Sequence, residues 1–176
     1  VTDAHHAMST RQTLSRSLSL ESGETRISPA EQFAPLKKSG GTLTHCFGPR
    51  HRLLLVGAGQ LAANLSTLAL AMDYEVLLAD SREWALEQWQ GPDVEKILGL
   101  PDDVVREHAA DEHCAVLTLS HDPRVDDMAL MEALDSASWY VGALGSVRTT
   151  EKRLQRLSQL GLSSGALARL HAPVGL

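Results

Sequence analysis

The sequence predicts an α/β protein: a doubly wound parallel sheet with helices on both faces, preceded by a poorly structured N-terminal segment. Three observations carry this. The runs Leu53–Val56 and Val76–Ala79 are continuous apolar stretches, and Ala115–Leu119 is interrupted only at Thr118, as expected of strands buried on both faces. The segments between them place apolar residues at helical spacing. Strand and helix signals alternate, which is the pattern of βαβ units and a parallel sheet.

In chain order, residues 1–42 show no sustained period and are rich in Ser, Thr, Gly and Pro, ending in Lys37-Lys38-Ser39-Gly40-Gly41. They read as a flexible tail or the remnant of an N-terminal domain, with one short helix near Pro29–Leu36. His5-His6 reads as tail sequence. Met8–Leu20, Ser/Arg-rich and free of acids, weakly resembles an organellar presequence, but the flexible-tail reading is preferred. Residues 43–50 read as a short strand leading into a domain that spans 43–176. The strand Leu53–Val56 is punctuated by Gly57-Ala58-Gly59, and Leu61, Leu65, Leu68 and Met72 follow at helical spacing. Leu53 to Met72 is 20 residues without a charge, but its glycines, its polar residues and its change of period make it a strand and a helix, not a membrane span.

The second strand ends at Asp80, followed by a short helix around Glu83–Trp89 and a weak strand at Val94–Leu98. Pro101-Asp102-Asp103 opens a helix, with proline in the first position and acids in the first turn. After Ala115–Leu119 comes a helix expected to turn Met128, Met131 and Leu134 inward, then a strand Trp139–Val141. A basic helix with Leu154, Leu157 and Leu160 inward is capped by Gly161, and Ser163 starts a last short helix ended by Pro173.

Composition narrows the function classes. With 176 residues, 43% hydrophobic and 22% charged, the chain can bury a core without metal or disulfide help. Aromatics are only 4%, too few for a base-stacking platform. Residues 51–176 carry a net charge of −8 against +2 for residues 1–50, and an acidic domain repels a phosphate backbone, so no nucleic-acid partner is expected. The two cysteines form no CxxC, which removes a disulfide framework and a zinc site and fits a reducing cytoplasm. Cys114 reads as a buried small hydrophobe and Cys46, beside His45, as an ordinary linker cysteine.

The strongest chemical signal is Val56-Gly57-Ala58-Gly59-Gln60-Leu61-Ala62, the G-x-G-x-x-G/A fingerprint of a Rossmann-like dinucleotide site, lying between a strand and a helix. Gly57 permits the tight turn, Gly59 lets a pyrophosphate approach the backbone, and the free N–H groups of the helix face the anion. Asp80, 21 residues past Gly59, is placed to accept hydrogen bonds from a ribose diol. The competing reading is a degenerate domain whose crevice is empty or used for protein contact. Ser81 and Arg82 follow Asp80, and Arg82 is placed either to meet an anionic group or to lie in solvent. Ser120-His121-Asp122 sits where a strand ends, in the region where such folds bind ligands, though Ser120 or Asp122 could simply cap the next helix. A second glycine loop runs through Gly142, Ala143, Gly145 and Ser146, with Arg148 in the first turn of the helix it opens and Lys152, Arg153 and Arg156 beyond. A cation at that helix end is unfavourable unless an anion offsets it, which suggests a second anion contact; the alternative is a solvated basic face. No catalytic set and no metal site is visible.

The segments Phe47–Gln60, Leu78–Arg82, Leu119–Arg124, Tyr140–Ser146 and Leu167–Gly175, in that order, resemble the xanthine dehydrogenase accessory proteins of the XdhC/CoxI family. The resemblance is most specific in Tyr-Val-Gly-Ala-Leu-Gly-Ser and the closing Arg-Leu-His-Ala-Pro-Val-Gly. It implies a C-terminal Rossmann-like domain that binds molybdenum cofactor, molybdopterin in its cytosine dinucleotide form, at the glycine turn, Asp80–Arg82, Ser120–Asp122 and the second glycine loop. It also implies delivery of that cofactor to an apo molybdenum hydroxylase of the xanthine dehydrogenase or aldehyde oxidase type, by a cytoplasmic homodimer. Val147 stands where the family usually has an arginine, and Ser81 where it has proline. The readings that compete with this maturation factor are an NAD(P)-dependent oxidoreductase and a nucleotide-sensing regulatory module.

Overall fold

A computed structural model describes residues 10–30 and 34–175, and these fall into two compact units divided between Arg50 and His51. His5 and His6 lie outside the described residues.

The first unit overturns the expectation of a tail. Strands β1 (Leu14–Ser19), β2 (Thr25–Pro29), β3 (Lys37–Ser39) and β4 (Thr42–Phe47) form one antiparallel sheet in the order β2-β1-β4-β3. The reason is turn chemistry. Gly40 and Gly41 have φ of 53° and 77° and join Ser39 to Thr42 in a two-residue hairpin, the connection whose twist matches paired strands. Gly23, also at positive φ, closes the β1–β2 turn, where Ser19 N–H donates to the Glu24 carbonyl at 2.9 Å. The expected helix near Pro29–Leu36 falls in part on residues 31–33, outside the described residues, and Pro29 itself ends β2. The strand expected at 43–50 exists as β4 but belongs to this sheet, so the boundary expected at residue 43 moves to 51.

The second unit is a six-stranded parallel sheet in the order β10-β9-β8-β5-β6-β7. Its elements are β5 (Arg52–Val56), α1 (Gln60–Ala71), β6 (Glu75–Asp80), α2 (Glu83–Glu87), β7 (Glu95–Leu98), α3 (Pro101–His108), β8 (Cys114–Thr118), α4 (Pro123–Asp135), β9 (Tyr140–Ala143), α5 (Val147–Gln159), α6 (Ser164–Leu167) and β10 (Leu170–His171). Alternate strand residues serve two cores. Leu54, Val56, Leu77 and Val116 pack with Val105, Leu130, Leu134 and Leu157 from α3, α4 and α5. Leu53, Leu55, Val76 and Leu78 pack on the other face with Ala62 and Ala69 of α1 and Leu86 of α2. The sheet grows from β5 toward β6 and β7, then from β8 toward β9 and β10. The order therefore reverses between β5 and β8, and a crevice opens at their carboxyl ends.

Three helices turn differently from the leucine and methionine spacing. In α1 the buried residues are Ala62, Ala63, Ser66 and Ala69, while Leu61, Leu68 and Met72 face out. Small residues let this helix lie close on the sheet. In α4, Ala129, Leu130, Ala133 and Leu134 are buried and Met128 is exposed. In α5, Thr150, Arg153 and Leu157 point inward and Leu160 is exposed. The last short helix ends at Leu167, well before Pro173, because residues 170–171 add the edge strand β10 to β9. Arg169 holds this end by donating to the carbonyls of Leu134, Ser136 and Ser138. No helix among the described residues is long and apolar enough to cross a membrane.

Candidate functional site: a crevice at the sheet reversal

The turn after β5 is built on two glycines with different tasks. Gly57 has φ 113°, and a Cβ there would lie 2.9 Å from the Ser120 backbone nitrogen, so only glycine lets β5 and the end of β8 approach. Gly59, in ordinary extended geometry, caps α1; a Cβ there would meet nothing within 4 Å. The cap has no side-chain hydrogen bond and the first turn has no acid. The N–H groups of Gln60, Leu61 and Ala62 therefore have no intrahelical acceptors at the positive end of a 12-residue helix, and the space beside Gly59 is clear.

Asp80 ends β6 inside this crevice and is 5% exposed. Its Oδ2 accepts from Ala58 N–H and Arg82 Nη2, both at 2.8 Å. Its Oδ1 accepts from Arg82 N–H at 3.0 Å and Arg82 Nε at 2.9 Å. Burial pushes the carboxyl up, but the Arg82 guanidinium and the Ala58 and Arg82 amides outweigh it and hold the group below the usual carboxylate range. A carboxylate has about four lone-pair sites, and all of Asp80's are engaged. Two of these four bonds come from the Arg82 side chain, which is itself 49% exposed.

A cavity of about 520 Å³ is lined by Asp80, Ser81, Arg82, Ser120, His121 and Asp122, with Pro123 and Val125. Asp122 caps α4 through the Arg124 N–H at 2.9 Å, and Ser120 Oγ accepts from Asp122 N–H. Hydrogen bonds from the Arg124 side chain and amide hold the Asp122 carboxyl down at about 2. His121 is exposed at the rim. The two acid-bearing segments expected from the sequence therefore meet in one crevice.

A second cavity of about 200 Å³ lies on the glycine turn, lined by Ala58, Gly59 and Gln60 together with Trp84, Gln88, Trp89 and Gln90. The aromatic residues were not among the sequence candidates. The readable signal was that two of the three tryptophans fall within six residues just after Asp80.

The second glycine loop differs from expectation. Gly142 and Ala143 are buried in β9, and a Cβ on Gly142 would strike Leu117, Tyr140 and Val174, so this glycine serves packing and not ligand approach. Gly145, Ser146 and Arg148 are exposed at the start of α5, where Ser146 Oγ accepts from Thr149 N–H; they line neither cavity, and Leu61 also lies outside both. The basic residues of α5 divide: Arg148 and Lys152 are exposed to solvent, and the other two are engaged. Arg153 is buried against Asp126 and Arg156 is paired with Asp127. Cys46 and Cys114 are buried and not joined in a disulfide, and no cluster of metal-ligating side chains occurs among the described residues.

A parallel sheet that reverses at β5/β8 and turns through Gly57–Gly59 into α1 is a Rossmann domain. The chain belongs to the family described as the XdhC Rossmann domain, which matches residues 53–176. Among its relatives in Escherichia coli K12, it is 41% identical over 66 residues to the molybdenum cofactor insertion chaperone PaoD, a match spanning 38% of this chain and 21% of that protein. It is 27% identical over 128 residues to the uncharacterized protein YqeB, a match spanning 73% of this chain and 24% of YqeB. The chain thus matches only about a fifth to a quarter of the length of these curated relatives. A crystal structure from Bacillus halodurans, described as a xanthine dehydrogenase, shares the fold with a TM-score of 0.71 at 22% identity, over 99% of this chain and 56% of that one.

Proposed function

We propose that this chain carries the cofactor-holding domain of a maturation factor that binds molybdenum cofactor and hands it to an apo molybdenum hydroxylase of the xanthine dehydrogenase or aldehyde oxidase type. One observation carries the reading: the uncapped, acid-free start of α1 opens into clear space at Gly59, beside a crevice large enough for part of a dinucleotide. The residues present fit a pterin dinucleotide. The amides of Gln60 and Leu61 would hold the diphosphate. Asp80, once Arg82 swings off it, would hold a sugar diol, and Ser120, His121 and Asp122 would line the far wall. When bound, the group would supply the molybdenum–dithiolene centre that the client uses; this chain would orient it and shield it. Similarity to PaoD favours this role, and the cytosine dinucleotide form, a homodimer and a cytoplasmic setting belong to the same proposal.

The test is mass spectrometry of small molecules released from natively purified protein, together with the molybdenum content of the client when this gene is deleted. A released pterin dinucleotide and a cofactor-poor client are expected. A fully loaded client after deletion excludes the role. Tight NAD(P)H binding with turnover would identify an oxidoreductase instead, and an assembly change driven by nucleotide without a molybdenum client would identify a regulatory module.

A further inference from the structure

We propose that the small recess between the start of α1 and α2 is a ring subsite. It would take a neutral, planar, amide-bearing heterocycle, a pyrimidine or a pterin, whose diphosphate rests on the neighbouring amides of Gln60 and Leu61. The inference rests on the cofactor-holding reading and deepens it.

The recess is built in advance. Trp89 donates its indole N–H to the Pro92 carbonyl at 2.8 Å. Gly91 lies so close to that ring that a Cβ there would sit 2.2 Å from Cζ2. The loop thus clamps one indole as a fixed wall, at a position where only glycine fits. Trp84 forms another part of the lining and stays 55% exposed, with the Arg82 guanidinium 5.0 Å from its ring centre. A half-exposed indole beside a clamped one offers faces on which a flat ring can stack.

The polar lining is Gln60, Gln88 and Gln90. Each carboxamide offers both donors and an acceptor, which matches the mixed edge of a pyrimidine or pterin. The lining contains no charged side chain, so charge on the ligand is left to the helix end at Gly59. At about 200 Å³ the recess is below the roughly 300 Å³ at which sites for whole drug-sized ligands begin, so it suits one ring system and not a dinucleotide. The larger crevice beyond Asp80 remains for the rest of the molecule.

The experiment titrates the full chain by calorimetry with cytidine 5′-diphosphate, 6-hydroxymethylpterin diphosphate and inorganic diphosphate, following tryptophan fluorescence in a Trp139→Phe background. At least one ring-bearing probe should bind tighter than inorganic diphosphate and quench the remaining indoles, and which one does so separates base from pterin. Gly91→Ala and the surface change Trp84→Ala should each weaken that probe at least tenfold, with inorganic diphosphate unchanged. Wild-type affinity for that probe in both variants, or no advantage of either ring over diphosphate, overturns the subsite. If Gly91→Ala protein still purifies with a full load of pterin dinucleotide, the subsite fails while the carrier role stands. If wild type yields no such cofactor yet a ring-bearing probe binds and is lost in the variants, the carrier role fails while the subsite stands.

Discussion

Arg153 Nη2 donates to Asp126 Oδ2 at 2.7 Å, with both side chains 3% exposed, and each partner goes on to hold a different loop beside the crevice. Asp126 Oδ1 accepts from the Ser120 N–H at 3.2 Å, fixing the His121 loop. Arg153 Nη1 donates to the Leu144 carbonyl at 2.8 Å, fixing the second glycine loop. The pair acts as a buried strut between the ends of β8 and β9.

Breaking the strut on one side leaves a buried charge uncompensated. Arg153→Met is expected to cost about 3–5 kcal/mol in denaturant unfolding. The double change Asp126→Leu with Arg153→Met should cost less than the single one, because it removes both charges. Arg156→Ala removes a partner that is 38% exposed from the buried Asp127, which keeps Arg153 Nε at 3.7 Å, and should cost less than Arg153→Met. A single Arg153→Met variant as stable as wild type would dismiss the strut.

Burial pushes the Asp126 carboxyl up, to about 6, against the pull of Arg153 and the Ser120 amide. In the unfolded chain the group returns to near 3.8. Between those values the folded state holds more proton than the unfolded one. By linkage, the contribution of Asp126 to stability therefore falls as pH rises through that window and is level above it. At about 1.4 kcal/mol per pH unit, the full change approaches 3 kcal/mol. Unfolding free energies of wild type and Asp126→Asn from about pH 4 to pH 7 check this. Their difference, wild type minus variant, should decline up to about pH 6 and then stay flat.

Arg82 occupies acceptor sites on Asp80 that a sugar diol would need. Arg82→Ala should therefore raise the preference for a ribonucleotide over its 2′-deoxy counterpart by several-fold, read as the ratio of the dissociation constants of cytidine and deoxycytidine diphosphates. Asp80→Asn should abolish that preference. An unchanged ratio in both variants would show that Asp80 does not meet the sugar.

Gly57 and Gly59 separate fold from binding. Gly57→Ala places a methyl 2.9 Å from Ser120 N at a φ that side chains rarely adopt, and should cost about 1–3 kcal/mol of stability. Gly59→Ala has space and ordinary backbone geometry, so thermal stability should hold while diphosphate affinity falls about tenfold, or 1.4 kcal/mol.

Most of the parallel sheet was legible because buried strands and their glycine turns are local signals: Leu53–Val56, Gly57–Gly59, Asp80 and Ser120–Asp122 lie where the pattern placed them. Of the antiparallel sheet of residues 14–47 only β4 was legible, as the short strand expected at 43–50. β2 and β3 are short, polar and exposed, and the Gly40-Gly41 hairpin signal sat in a stretch that otherwise read as linker. Spacing also misjudged α1, where Leu61 and Leu68 face outward and only Leu65 packs on the core, because close packing on the sheet selects alanine over bulk.

The sequence alone determined the fold class, the succession of parallel strands as far as β9 and the position of the glycine turn after β5, since each follows from period, glycine position and helix ends. Only the tertiary structure decided that Arg82 covers Asp80, that Arg153 turns inward to Asp126 and that a clamped Trp89 lines a recess beside Gly59. Those outcomes depend on side chains brought together from different elements, where burial and charge compensation, not spacing along the chain, select the partner.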